Sequence, residues 1–284
     1  MGVGNFPVRG QIAVVTGGGS GIGLEIAKAI VANGGKALVA DLKPTKPAEQ
    51  FIEASAGKAV FLQTNVTKRE QLERIIPAAK KHFGTIPSIY VPAAGILEPN
   101  RSNWWADNGE SSYATLDINV THPLQLGRIA LRALLRNNIK GVVVHVASLA
   151  GLYGRYAHPL YCASKHALVG FVKSMASADP QEGIKFVAVC PGIVKSAIWD
   201  DSEDIAKAFN YSELEAIEPH AVAEVVIELI ENGDHVGGTC ISMDEKGRRQ
   251  VIDFPQSPVR DSDNPFPVYD FIKKITTKER ESKI

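Results

Sequence analysis

The sequence predicts a single-domain, three-layer α/β fold, a doubly wound parallel sheet with helices on both faces. Three observations predict it: short apolar runs alternate with longer amphipathic stretches, the apolar runs are continuous rather than two-periodic, and a glycine-rich loop joins the first run to the first helical stretch. Continuous apolar strands are those buried on both faces, which is the condition of a parallel sheet covered by helices. Right-handed crossovers between such strands give the doubly wound order.

Taken in order, the predicted strands are Ile12 to Val15, Ala37 to Ala40, Val60 to Leu62, Ile89 to Val91, Val142 to Val146 and Phe186 to Val189. Helix-period apolar positions fill Ile22 to Val31, Arg69 to Phe83, Ala114 to Leu135 and Tyr161 to Ala178. The pattern lapses from Ser196 to Pro219, a stretch holding Trp199, Phe209 and Tyr211, and resumes as a helix from Ala221 to Ile230. An inserted lid of about residues 196–219 with aromatic pocket candidates is the expectation. No repeat or Pro/Gly/Ser-rich linker divides the chain before residue 254, so residues 1–254 read as one domain. The proline-bearing, charged remainder, residues 255–284, reads as a surface tail without chemistry.

Composition narrows the function. The 31 basic and 31 acidic side chains cancel over 284 residues, so no global field draws nucleic acid or an anionic membrane. With 45% hydrophobic and 22% charged residues the chain is ordinary globular material. Cys162, Cys190 and Cys240 are odd in number and widely spaced, which predicts neither disulfide framework nor bound metal and favours a cytoplasmic home. Neither a leader-like nor a membrane-spanning apolar run is expected.

Thr16-Gly17-Gly18-Gly19-Ser20-Gly21-Ile22-Gly23 follows the first strand and opens the first helix. Free N–H groups and the macrodipole at a helix N-terminus attract phosphate, and residues without Cβ let a pyrophosphate approach the backbone. A dinucleotide is therefore expected there, with Gly17, Ser20, Gly21, Ile22 and Gly23 in contact. Asp41 ends the second strand, where a carboxylate either accepts from an adenosine ribose and repels a 2′-phosphate or serves as a turn cap. The first use selects NAD; Lys43 works against that selection.

Ser148 follows the fifth strand, while Tyr161 and Lys165 lie one helical turn apart on one face. A phenol has a pKa of about 10 and is a poor base unless positive charge stabilises the phenolate. Lys165 and an oxidised nicotinamide would supply that charge, so Tyr161 exchanges the alcohol proton while Ser148 hydrogen-bonds the reacting oxygen. His158 and His220 are candidates to meet substrate, and Trp104 and Trp105 to pack in a core, in an interface or over substrate.

With these motifs the chain resembles the short-chain dehydrogenases/reductases from about Gln11 to Met243, and its C-terminal Gly237 to Asp244 stretch is similar to NAD-dependent hydroxyprostaglandin dehydrogenases. The resemblance implies a Rossmann-type oxidoreductase. It implies that Asn119 continues a proton relay from Lys165 through a backbone-held water, and that Lys165 also binds the nicotinamide ribose. Asn65, Val66, Ala94 and Gly95 are implied on the adenosine side, Pro191, Gly192, Ile193 and Val194 on the nicotinamide side, with Ser196 where the family usually has Thr. Pro92-Ala93-Ala94-Gly95 replaces the common Asn-Asn-Ala-Gly, losing amides and one backbone donor. Association as a homodimer or homotetramer through helices beginning near Ser111 and Pro159 is likewise implied. The expected reaction is hydride transfer between NAD and a secondary alcohol or ketone on a mid-sized, largely apolar substrate. An NADPH-dependent biosynthetic ketoreductase and a non-catalytic nucleotide sensor are the alternatives.

Overall fold

Continuous apolar runs do form the strands. The computed structural model describes residues 2–99, 102–107, 109, 112–196, 198–199, 215–255 and 268–282. Eight strands make one sheet: β1 (Ile12–Thr16), β2 (Lys36–Asp41), β3 (Ala59–Gln63), β4 (Ile89–Pro92), β5 (Gly141–Val146), β6 (Ile184–Pro191), β7 (Cys240–Met243) and β8 (Arg249–Val251). Their spatial order is β3-β2-β1-β4-β5-β6-β7-β8, with every pairing parallel except the last. The chain reverses direction across the sheet between β1 and β4, so loops diverge there and leave a crevice above the strand C-termini.

The helices are α1 (Gly21–Ala32), α2 (Lys46–Ala54), α3 (Arg69–Glu73), α4 (Ile75–Phe83), α5 (Ala114–Leu116), α6 (His122–Asn137), α7 (Pro159–Ser174), α8 (Ala178–Glu182), α9 (Pro219–Glu231) and α10 (Val268–Glu281). Alternate strand residues feed opposite cores. Ala13, Val15, Val142, Val144 and Val187 pack on one face with Ile26 and Ile30 of α1 and Val225 and Leu229 of α9. Val14, Tyr90, Val143 and Phe186 pack on the other with Ile75 of α4 and Leu126, Ala130 and Leu134 of α6. Each fully buried aliphatic side chain contributes roughly 1.5–3 kcal/mol, so the two faces hold the sheet jointly.

Five elements differ from the sequence expectation. The predicted Arg69 to Phe83 helix breaks at Arg74, because Pro77 has no N–H to give the Glu73 carbonyl. The predicted Ala114 to Leu135 helix is interrupted by a wide π-turn over Asp117–Thr121, centred on Asn119. Helix α2 and the antiparallel edge strand β8 had no expectation at all. Within the expected surface tail, residues 268–281 form a helix that the sequence reading did not assign, docked on α6: Glu279 accepts from Arg128 (2.6 Å) and Arg136 (3.1 Å), and Arg280 reaches Glu182 (2.8 Å).

Candidate active site

The strand C-termini and their loops enclose a cavity of about 940 Å³. Every predicted site residue lines it except Asn119.

At β1 the backbone itself builds the cradle. Gly17 has a positive φ of 68°, and a Cβ there would stand 2.6 Å from Ala94; a Cβ on Gly23 would stand 2.2 Å from the Gly17 carbonyl oxygen. Both positions therefore require glycine. The N-cap Ser20 makes no side-chain bond to the first turn of α1, so no side-chain cap takes up the turn's N–H donors, while Ser20 to Gly23 line the cavity. Those donors and the dipole of a 12-residue helix fit a pyrophosphate.

Asp41 stands at the end of β2, its Oδ2 accepting the Gly19 N–H (2.8 Å) and its Oδ1 the Leu42 N–H (2.7 Å). The two sequence readings of this residue coexist, since a carboxylate that caps the loop keeps lone pairs for a ribose hydroxyl. Thr45 steadies the same loop by donating its hydroxyl to the Gly19 carbonyl (2.7 Å). Asn65 accepts from the Thr67 N–H (3.0 Å) and hydroxyl (2.8 Å), which leaves its amide donor for an adenine. The Pro92 departure has a visible consequence: β4 pairs with β5 only through Ile89 and Tyr90, whereas β5 pairs with β6 along six residues.

At the other end, Ser148 starts a short 3₁₀ turn after β5, accepting the Ala150 N–H (3.1 Å) and donating to the Pro191 carbonyl (3.3 Å). The Tyr161 hydroxyl faces the same cavity, near enough to Ser148 for that hydroxyl to favour its ionised form. Lys165 is buried one turn along α7, donating from Nζ to the Val146 carbonyl (2.9 Å), with that nitrogen 5.4 Å from the Tyr161 ring centre. The three side chains predicted to share one task are thus together.

Burial dominates the electrostatics of this pair. Burial pushes the Tyr161 phenol up to about 12, the Ser148 hydroxyl only partly opposing it. Burial also pulls Lys165 down to about 8. Desolvation therefore holds the phenol as a proton donor at neutral pH.

Glu98 and His122 carry no sequence signal, while Asn119, expected as a relay residue, makes side-chain contacts the sequence does not show. Glu98, buried in the loop after β4 and at a strained φ of 33°, reaches across to the start of α7 and accepts the Tyr161 N–H (2.7 Å) and the Trp104 N–H (3.4 Å). Burial pushes its carboxyl up, and the hydrogen bonds from Tyr161, Trp104 and Leu160 pull it back. Asn119 clamps the same loop, with Oδ1 accepting the Ile96 N–H (2.9 Å) and Nδ2 donating to the Ile96 carbonyl (2.9 Å) and Ser164 (3.1 Å). His122 ties the π-turn to β1: Nδ1 donates to the Ile118 carbonyl (3.1 Å) and Nε2 accepts from Thr16 (3.0 Å).

Of the other candidates, His158 and Trp199 line the cavity, Trp199 donating to the Val194 carbonyl (3.1 Å). His220 does not line it; it is exposed on α9. Trp104 and Trp105 are half exposed outside the cavity, Trp105 lying 4.6 Å from Tyr156 ring to ring. Most of the expected lid, with Phe209 and Tyr211, lies outside the described residues. Its flanks are stapled beside the site, since Ile217 donates to the Ile193 carbonyl (2.8 Å) and Lys195 to the Ile217 carbonyl (2.9 Å).

The chain matches the short chain dehydrogenase family over residues 11–206. It is 30% identical over 273 residues to the 15-hydroxyprostaglandin dehydrogenase (NAD(+)) of Homo sapiens, an alignment covering 88% of this chain and 97% of the relative. It is 28% identical over 248 residues to the 2,5-dichloro-2,5-cyclohexadiene-1,4-diol dehydrogenase of Sphingobium indicum, covering 84% and 96%. A short-chain type dehydrogenase/reductase from Mycobacterium marinum shares the fold, with a TM-score of 0.72 at 23% identity over 84% of this chain and 95% of that one. Sheet order, loop and match agree: the chain belongs to the short-chain dehydrogenases, oxidoreductase enzymes that bind NAD(P) and act on alcohol-type small molecules.

Proposed function

We propose that this enzyme uses NAD to interconvert a secondary alcohol and its ketone on a mid-sized, largely apolar substrate. One observation carries the reading: Ser148, Tyr161 and Lys165 face the same cavity as the glycine cradle and Asp41. The dinucleotide, when bound, accepts or supplies the hydride. Gly17 and Ser20 to Gly23 hold its phosphates, Asp41, Asn65, Val66, Ala94 and Gly95 its adenosine half, and Pro191 to Val194 with Ser196 its nicotinamide half. Lys165 also holds the nicotinamide ribose.

Ser148 orients the substrate oxygen, and the Tyr161 hydroxyl gives it a proton in reduction or takes one in oxidation. A phenol held at about 12 is ready for the first direction. The second needs the combined positive charge of Lys165 and the oxidised ring to offset desolvation. Asn119 clamps the loop at Ile96 with its side chain, and its backbone would hold the water that continues the relay behind Lys165. Leu97, Leu149, Ile198 and Trp199 give the substrate half its apolar lining.

NAD is favoured over NADP because the Asp41 carboxylate would meet a 2′-phosphate, and the human relative carries NAD(+) in its name. Lys43, on the same rim, favours the NADPH-dependent ketoreductase as the second reading. The test is to titrate NAD+ and NADP+ against wild type and Asp41→Ala while following NADH absorbance with a panel of secondary alcohols and ketones. Asp41→Ala should lower NAD+ over NADP+ discrimination at least about tenfold. An unchanged ratio would refute the assignment.

We further propose a cytoplasmic enzyme, consistent with the free, buried Cys162, Cys190 and Cys240. Among the described residues no helix is long and apolar enough to cross a membrane. Association as a homodimer or homotetramer belongs to α7, which leaves Ala163, Ala167 and Gly170 exposed, because α10 already lies along α6 at Arg128, Arg132 and Arg136. Light scattering showing only monomer would refute it.

A further inference from the structure

We infer that Glu245 is a specificity-determining residue that favours the oxidised, positively charged nicotinamide over the neutral reduced one; the inference rests on the cofactor reading above. Glu245 sits in the turn after β7. That turn is fixed against the end of β6, where Pro191 is in register with Met243 and the Gly192 N–H donates to the Met243 carbonyl (2.8 Å). From there the Glu245 Oε1 accepts the Ile193 N–H (3.0 Å).

A Cβ on Gly192 would stand 2.4 Å from that carboxylate oxygen and 2.9 Å from its carbon, so this placement of the Glu245 side chain depends on the glycine. Among the described residues Glu245 has no ion pair. The nearest cation in sequence with a carboxylate partner, Arg248, binds Asp244 instead (2.6 Å). Glu245 nevertheless lines the cavity.

Sheet order says which half of the dinucleotide this charge meets. Phosphates belong at β1 and the adenosine ribose at Asp41 on the β2 side, so the ring that exchanges hydride falls on the opposite side, over β4 to β6. Ser148, whose hydroxyl donates to the Pro191 carbonyl (3.3 Å), marks that end. An unpaired carboxylate one residue from this contact lowers the energy of a cationic ring and does nothing comparable for a neutral one. Weaker retention of NADH would then speed release after alcohol oxidation.

The test uses the full chain. NADH affinity is read by its fluorescence and NAD+ affinity by competition, in wild type, Glu245→Gln and Glu245→Lys. Gln keeps an acceptor for the Ile193 N–H, so NADH binding should stay within about twofold while NAD+ binding weakens roughly five- to tenfold. Charge reversal should widen the gap further, and added salt should narrow the difference between wild type and variants. Equal changes in both affinities, or none, would overturn the inference while leaving the cofactor reading intact. A wild-type chain that binds neither nucleotide would overturn both.

Discussion

Lowering the pH from about 7 to about 5 should remove roughly 4 kcal/mol of folding stability through two buried histidines, and replacing His145 should return about half of it. His145 is fully buried on β5, wedged against Phe171 and Phe186 (ring centres 5.7 and 6.3 Å away), and neither ring nitrogen has a hydrogen-bond partner among the described residues. Burial pulls it to about 3, with His122 and Lys165 adding repulsion. His122 is pulled to about 4, again mainly by burial.

Both folded values lie below the ordinary histidine value of about 6.5, so between those limits the unfolded chain binds protons that the folded chain refuses. Stability is therefore fully present above about pH 6.5 and falls as the pH drops, by about 2 kcal/mol per histidine at about pH 5. His145→Leu removes one titration and an unsatisfied donor worth about 1–3 kcal/mol, against about 0.5–1.5 kcal/mol of lost aromatic contact. The variant should be neutral to slightly stabilised near pH 7 and about 2 kcal/mol better off than wild type near pH 5 once the neutral-pH offset is subtracted. Urea midpoints at the two pH values measure this, and carboxylates that also titrate, Glu98 among them, cancel in the comparison. Parallel pH dependence in the two proteins would refute the assignment of a neutral, buried His145.

Two further outcomes follow from the site. Gly23→Ala places a methyl 2.2 Å from the Gly17 carbonyl and should abolish NADH fluorescence enhancement at concentrations that saturate wild type; retained affinity would show that the cradle tolerates side chains. Glu98→Ala leaves the Tyr161 N–H without its 2.7 Å acceptor and should cost about 1–3 kcal/mol in urea unfolding, with kcat falling more than nucleotide affinity. Equal loss of both would assign Glu98 to general stability instead of to the placement of α7.

What was legible in the sequence was local. The Thr16 to Gly23 loop announces itself because strand, glycines and helix stand in register within one turn, and Tyr161 and Lys165 announce a shared face by their spacing alone. Long-range acceptors leave no such trace: Glu98 lies 63 residues from the N–H it caps and Glu245 lies 52 from Ile193. The π-turn at Asn119 adds one residue to a helical turn without breaking the apolar pattern, so periodicity runs straight through it. Helix α2 buries only Ala48, and β8 is exposed throughout, which leaves hydrophobic patterning nothing to detect. Helix α10 is held by Glu279 against arginines more than a hundred residues away. The rise of the Tyr161 phenol is illegible for a different reason: spacing reveals the ammonium but not the water that burial removes.

The most direct test is Tyr161→Phe, which deletes one hydroxyl from a half-buried ring and leaves the cradle untouched. With a responsive alcohol from the panel, kcat should fall by at least about a hundredfold while NADH affinity stays within about twofold of wild type. Turnover that survives the loss of that hydroxyl would contradict the claim that Tyr161 moves the proton.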